Sequence, residues 1–269
     1  MILSPASGRA LVTGASTGIG AVYADRLARR GHALLLVARD RQRLDALAAR
    51  LASETGVDVE TLPADLTQAD QLARVETRLR DDAGIDVLVN NAGVGIDGPL
   101  IGADPNRLDA MIALNVGAVT RLAVAAATAF AARRRGLIIN IASVLALAPE
   151  RFNGSYSGTK AYVLNLSQGL HAELQPLGVR VHAVLPGATR TELWERAGIA
   201  IDSLPDAMLM GVDEMVDAAL AGLDQGELVT IPSLPRLSDW DAFNVARQSL
   251  GPHLSLKHAA PRYTTDKPA

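Results

Sequence analysis

The stretch Arg9-Ala-Leu-Val-Thr-Gly-Ala-Ser-Thr-Gly-Ile-Gly20 constrains this chain more than any other. Ala10-Leu11-Val12 is a short apolar run and reads as a buried strand. Ala21 to Arg30 reads as a helix, with Val22, Leu27 and Ala28 apolar and Asp25, Arg26, Arg29 and Arg30 polar. Between them stand Gly14, Gly18 and Gly20. A strand that turns through glycines into a helix aims unpaired backbone N–H groups at one point, as phosphate binding requires. Gly14 lets the chain leave the strand sharply, Gly18 lets backbone approach a pyrophosphate, and Gly20 lets the helix pack closely on the sheet. The spacing differs from the commoner Gly-x-Gly-x-x-Gly of dinucleotide folds, and a glycine-rich turn with no ligand is the competing reading.

The rest of the chain repeats strand and helix. Strands are expected at Ala33–Ala38, Val57–Leu62, Asp86–Asn90, Gly136–Ile141, Val179–Leu185 and Leu228–Ile231. Ala33–Ala38 is apolar throughout, as expected when both faces of a sheet are covered. Helices are expected from Arg39 to about Glu54 with Asp40 as N-cap, from Thr67 to about Asp82, from Pro105 to the Arg133-Arg-Arg135 run, from Tyr156 to about Gln175 and from Asp213 to Asp224. Alternation with short connections implies a parallel sheet with right-handed crossovers. With 269 residues, 49% of them hydrophobic, the chain fills one α/β domain, 1–269. In the proline-punctuated tail, 232–269, Ser238-Asp-Trp-Asp241 reads as the capped start of a short helix carrying Trp240, Phe243 and Leu250. Beyond about Ser255 an extended arm or disorder is expected.

Bulk properties exclude several functions. With a net charge of −3, nothing suggests a surface for nucleic acid, and none is expected. The absence of cysteine rules out disulfides, thiolate metal sites and a cysteine nucleophile. His32, His171, His182, His253 and His258 show no ligand spacing, so no metal is expected. Met1–Gly8 lacks the marks of a signal peptide, and no uncharged apolar run reaches spanning length. A cytoplasmic protein is the expectation.

Polar residues gather where ligands of doubly wound sheets bind, just past the carboxyl ends of strands. Asp65 follows the third strand, Asn90-Asn-Ala-Gly93 closes the fourth, Ser143 follows the fifth and Pro186-Gly187 follows the sixth. Tyr156 and Lys160 lie four apart on a helix, about 40° around it and about 6 Å along it, so their side chains can converge. A phenol titrates near ~10 and must fall by roughly 2–3 units to exchange protons near neutrality, which a neighbouring ammonium favours. Ser143 can hold a substrate oxygen against that phenol. Taken singly, an exposed helix pair and a turn serine are the simpler readings.

Together, Thr13 to Gly20, Asn90 to Gly93, Asn115, Ser143, Tyr156-x-x-x-Lys160 and Pro186-Gly187 resemble the motif set of the short-chain dehydrogenase/reductase family, in its shorter single-domain branch. The resemblance covers about residues 9–191. It implies a Rossmann-like, doubly wound parallel seven-stranded sheet with helices on both faces. It implies Tyr156 as catalytic acid or base, Lys160 as the group that lowers its pKa and bonds the nicotinamide ribose, Ser143 as the carbonyl-polarising group, and Asn115 as holder of a water linking Lys160 to solvent. Cofactor contacts are implied at Gly14, Ser16, Thr17, Gly18, Ile19, Gly20, Arg39, Asp65, Leu66, Asn91, Ala92, Gly93, Tyr156, Lys160, Pro186, Gly187, Thr189 and Thr191. Asp65 would meet the adenine and Thr191 the carboxamide.

Arg39 is the first polar residue after the second strand, with Arg43 four further on, and an arginine there suits the 2′-phosphate of NADP. NADP (NADPH) is therefore expected over NAD; Asp40 keeps NAD open, because a one-residue shift would put a carboxylate on the ribose. The segment 190–211, with Leu193, Trp194, Ile199, Ile201, Leu204, Met208, Leu209 and Met210, is expected to be a lid over a hydrophobic carbonyl or alcohol. Leu145, Phe152 and Asn153 are candidates for the same pocket, with ordinary core packing as the alternative. A homodimer or homotetramer is expected, and the competing function is a nucleotide-binding sensor or scaffold without turnover.

Overall fold

The computed structural model describes residues 8–96 and 98–263. By compactness the chain divides into two units, Met1–Pro232 and Ser233–Ala269. In the first unit, strands β1 (Arg9–Thr13), β2 (Ala33–Ala38), β3 (Val59–Pro63), β4 (Ile85–Asn90), β5 (Gly136–Ile141), β6 (Val179–Val184) and β7 (Val229–Thr230) form one parallel sheet. Their order is β3-β2-β1-β4-β5-β6-β7. The alternating pattern implied a parallel sheet, and the family resemblance implied this seven-stranded, doubly wound one. The chain winds outward from β1 to β3, then crosses back to place β4 on the other side of β1. Connections from β1 and β4 therefore diverge and leave a crevice between them.

Strand residues alternate between two cores, because successive side chains point to opposite faces. Ala10, Val12, Leu34, Leu36, Val87 and Val89 pack with Tyr23 and Leu27 of α1 (Gly18–Arg29), Leu44 of α2 (Arg41–Thr55) and Val216 of α8 (Val212–Gln225). Leu11, Leu35, Leu88 and Ile138 pack on the other face with Val75 of α3 (Ala69–Asp81), Phe130 of α5 (Val119–Arg133) and Leu174 of α6 (Gly154–Leu174). The helix expected from Pro105 is continuous to Arg133. It runs through α4 (Pro105–Ile112) and a π-helical turn, Ala113–Ala118, into α5. By length and a mean hydropathy of 1.7 this helix could cross a membrane. Its inner residues Leu122, Ala126 and Phe130 lie in the core instead.

Several boundaries differ from the sequence reading. Helix α1 begins at Gly18, not Ala21, so Gly18 and Gly20 both lie in its first turn. Asp40 does cap α2, accepting from the Arg43 N–H at 3.0 Å. Helix α6 begins two residues before Tyr156 because Asn153 caps it, accepting from the Ser155 N–H at 2.9 Å and the Tyr156 N–H at 3.4 Å. In the second unit α9 (Leu237–Gln248) starts after Arg236 with no side-chain cap, which corrects the expected start at Ser238. Trp240 and Phe243 stack within it at 5.5 Å. The tail past Ser255 is exposed and closes a short 3-10 turn at Pro261–Tyr263, so it is not simply extended; 264–269 lie outside the described residues.

The glycine turn is fastened to the end of β4. The Thr13 hydroxyl donates to the Val89 carbonyl at 3.2 Å and accepts from the N–H groups of Asn91 and Ala92, each at 3.0 Å. The Asn91 amide returns the contact, donating to the Thr13 carbonyl at 2.9 Å. Thr13→Val keeps the shape but leaves two N–H groups without their acceptor. The variant is expected to lose about 2 kcal/mol of stability. Urea unfolding checks this, and an unchanged midpoint would mean that the fastening is redundant.

Candidate active site

A cavity of about 910 Å³ lies at the carboxyl ends of the strands. That is large for a ligand site. Its walls come from the chain segments that follow strands β1 to β6. The turn after β1 gives Gly14, Ser16, Thr17, Gly18 and Ile19. The ends of β2 and β3 give Arg39, Asp40, Arg43, Asp65 and Leu66. The end of β4 gives Asn91, Ala92 and Gly93, and the connections after β5 and β6 give Ser143, Pro186, Gly187, Thr189 and Thr191. Tyr156 and Lys160 reach it from α6. The structure thus gathers in one cavity every residue singled out for cofactor or catalysis except Gly20 and Asn115.

Gly20 faces inward. A Cβ there would lie 2.4 Å from the Gly14 carbonyl oxygen, so only glycine lets α1 approach the turn. Asn115 stands in the π-helical turn, buried behind the cavity wall. Its Oδ1 accepts from the Val94 N–H at 2.9 Å, and its Nδ2 donates to the Val94 carbonyl at 2.9 Å and to Thr159 Oγ1 at 3.2 Å. A Cβ on Gly93 would lie 3.2 Å from Asn115 Oδ1 and 3.6 Å from Lys160 Nζ, so a narrow gap at Gly93 links the two side chains.

The cradle suits a dinucleotide. Gly14 and Gly18 have φ of 64° and 55°, the left-handed region that favours glycine. No side chain caps α1, and no acidic residue stands in its first turn. Its first N–H groups and the positive end of its dipole therefore remain available to an anion. Asp65 uses Oδ1 to accept from the N–H and hydroxyl of Thr67, at 2.9 and 2.7 Å, which fixes its carboxylate at the wall.

Around the phenol the walls turn apolar. Phe152 meets the Tyr156 ring edge-on, 5.5 Å between centroids and 74° between planes. Leu145, Leu193, Trp194, Ile199, Leu204 and Met208 line the same cavity. Asn153 does not line it; its amide donates to the Gly98 carbonyl at 3.0 Å while its oxygen caps α6. Ile201, Leu209 and Met210 also stay out of the lining, and Met210 packs on the core. The segment from Arg190 to Met210 is an excursion with fastened ends. The Arg190 N–H donates to the Met210 carbonyl, and the Met210 N–H to the Ala188 carbonyl, each at 2.9 Å.

Tyr156, Ser143 and Lys160 are all buried. Lys160 Nζ lies over the Tyr156 ring, 5.8 Å from its centroid, and donates to the Ile141 carbonyl at 3.0 Å. The Ser143 hydroxyl accepts from the Leu145 N–H at 3.2 Å. Burial pushes the Tyr156 phenol up to about 12, and a hydrogen bond with Ser143 pulls the other way. Burial also brings the Lys160 ammonium down to about 8. The spacing of the pair led to the expectation that Lys160 makes the phenol acidic. In the chain itself burial is the largest cause acting on both groups, and it moves the phenol up rather than down.

Spacing also missed two charged residues of the segment 190–211. Glu192 and Arg196 line the cavity beside Arg39 and Arg43, and no local signal in the sequence marks them. Arg39 makes no ion pair among the described residues, whereas Arg43 pairs with Glu192 at 2.8 Å.

The chain belongs to the short-chain dehydrogenase family, whose model matches residues 9–202. Among solved structures it resembles a short-chain dehydrogenase from Sphingobium yanoikuyae in complex with NADPH, with 54% identity, a TM-score of 0.93, and 96% of this chain and 100% of that one covered. It also resembles the bulky-bulky ketone specific alcohol dehydrogenase from Comamonas testosteroni, with 50% identity, a TM-score of 0.88, and 95% and 98% covered. A curated relative, very-long-chain 3-oxoacyl-CoA reductase-A of Danio rerio, is 35% identical over 199 residues, 71% of this chain but only 61% of that protein's own length.

The buried lysine has a measurable consequence. Its folded pKa, about 8, lies below the ordinary 10.5. Between those values the unfolded chain binds the extra proton, so stability rises with pH across that window and the penalty is complete below it. Lys160→Met removes the penalty. The variant is expected to be more stable than the parent near neutrality, by about 3 kcal/mol at most, with the gain shrinking toward pH ~10. Urea unfolding at the two pH values checks it; an equal gain at both would contradict it.

Proposed function

We propose that this protein is an NADPH-dependent oxidoreductase for a hydrophobic ketone or aldehyde and the corresponding alcohol. The observation that carries the reading is the meeting of Tyr156, Ser143 and Lys160 under an apolar wall, at one end of a cavity whose other end is a phosphate cradle. Bound nicotinamide would supply the hydride and, when oxidised, a positive charge beside the phenol. The rest is work for the chain. The Gly14–Gly18 turn holds the pyrophosphate on N–H groups of α1, and Arg39 takes the 2′-phosphate. Ser143 holds the substrate oxygen, Tyr156 gives or takes the proton at that oxygen, and Lys160 keeps a donor beside the ribose. Leu193, Trp194 and Met208 exclude water from the transfer.

The NADPH complex of the Sphingobium yanoikuyae relative supports the cofactor, and the bulky ketone specificity in the Comamonas testosteroni relative's name supports the substrate class. A symmetric homodimer or homotetramer is part of the same proposal, supported by exposed Val124 on α5 and Tyr162 on α6. The test is a carbonyl panel run with each reduced cofactor. Bulky aliphatic and aromatic ketones should be reduced and polar sugars and acids should not, with kcat/KM higher for NADPH than for NADH. Arg39→Ala should lower kcat/KM for NADPH about tenfold, the loss of a charge-assisted phosphate contact, and leave NADH nearly unchanged. Preference for NADH, or turnover of the polar set alone, would overturn the reading.

A further inference from the structure

A chain of charges crosses the cofactor cleft from side to side. Arg43, at the start of α2, donates from Nη1 to both Glu192 oxygens, at 3.0 and 2.8 Å. Glu192 belongs to the lid, just before α7 (Leu193–Ala197). Its Oε2 also accepts from Arg196 Nη2 at 2.6 Å. The same Nη2 donates to Thr17 Oγ1 at 3.2 Å, in the glycine turn. Thr17, Arg43, Glu192 and Arg196 all line the cavity. One carboxylate thus sits on two guanidinium groups, one beside the expected 2′-phosphate position and one beside the expected pyrophosphate position.

We propose that Glu192 is a built-in competitor for cofactor phosphate, which NADPH displaces from Arg43 when its 2′-phosphate binds. The proposal rests on the NADPH reading given above. Both arginines hold the Glu192 carboxyl below the usual carboxylate range, so it is a full anion at neutral pH. A phosphate on Arg43 meets that anion at close quarters, and the two repel. The exchange is easy for three reasons. The Arg43–Glu192 pair is about half exposed, 49% and 43%, and exposed pairs hold weakly. A phosphate carries more charge and more acceptor oxygens than a carboxylate. Glu192 keeps Arg196 as a partner after Arg43 leaves, so its charge is not stranded.

Two consequences follow from the geometry. The 2′-hydroxyl of NADH carries no charge with which to displace Glu192, so Arg43 stays tied to the lid. Competition also weakens NADP⁺ binding after reaction, which favours release. Glu192 is in this account a specificity-determining residue that acts through Arg43, not a group that touches the reacting atoms.

The test measures dissociation constants of NADP⁺ and NAD⁺ for the parent, Glu192→Gln, Arg43→Gln and the double variant. Removing the competing charge should raise the ratio of Kd for NAD⁺ to Kd for NADP⁺ about threefold, and Glu192→Ala should move it in the same direction. On the Arg43→Gln background the rise should vanish, because the competition acts through Arg43. An unchanged or falling ratio in Glu192→Gln, or an equal rise without Arg43, overturns the competition and leaves the NADPH reading intact. A parent protein that binds NAD⁺ more tightly than NADP⁺ overturns the cofactor reading and the competition with it.

Discussion

The bonds between Thr13 and the end of β4 hold the site together. β1 and β4 are neighbours in the sheet but far apart in the chain, and their connections leave in opposite directions. The crevice they open becomes a binding site only if both turns are fixed relative to each other. One hydroxyl accepting two N–H groups, answered by the Asn91 amide, does that at the bottom of the cleft. Gly20 makes the arrangement compact, since any side chain there would strike the Gly14 carbonyl.

From that fixed floor the groups proposed as catalytic, Tyr156 and Lys160, are placed by burial and by polar contacts in the core. Asn90 donates to Asn140 at 3.0 Å, Asn140 to Ser167 at 2.9 Å, and Ser167 to the Val163 carbonyl at 2.7 Å. This buried chain ties β4, β5 and α6 at one depth. Tyr156 and Lys160 project from that helix about three and about two turns before Ser167. Burial sets their electrostatics. It raises the phenol and lowers the amine, so both resting groups are biased toward their neutral forms. A cation arriving beside them has a large effect, because so little solvent screens it.

The parts of the fold that depend on local pattern were legible in the sequence. Ala33–Ala38 and Gly136–Ile141 are apolar runs with clear ends, and the structure places β2 and β5 on those residues. The Asp40 cap was legible because a capping side chain acts within three residues of itself. The π-helical turn at Ala113–Ala118 was not, since one added residue in a helix rich in small apolar residues leaves its period almost unchanged. Asn153 was read as a pocket residue although it stands where a cap belongs; its position before Gly154-Ser155 was the overlooked signal. Of the site, the residues at strand ends were legible because the fold dictates where ligands lie. The Arg43–Glu192 pair was not, because it joins positions 149 residues apart. The raised phenol was hidden for a related reason: spacing along a helix reports proximity, and burial comes from everything packed around it.

The proposed proton-transfer group is the Tyr156 hydroxyl. Tyr156→Phe keeps the ring against Phe152 and the rest of the cavity wall, and removes one oxygen. The direct measurement is single-turnover oxidation of bound NADPH in the presence of a ketone that the parent reduces, with NADPH binding measured on the same sample. Binding should be retained, and the transfer rate should fall by a factor on the order of 10²–10⁴. A variant that binds NADPH and reduces the ketone at the parent's rate would contradict the account.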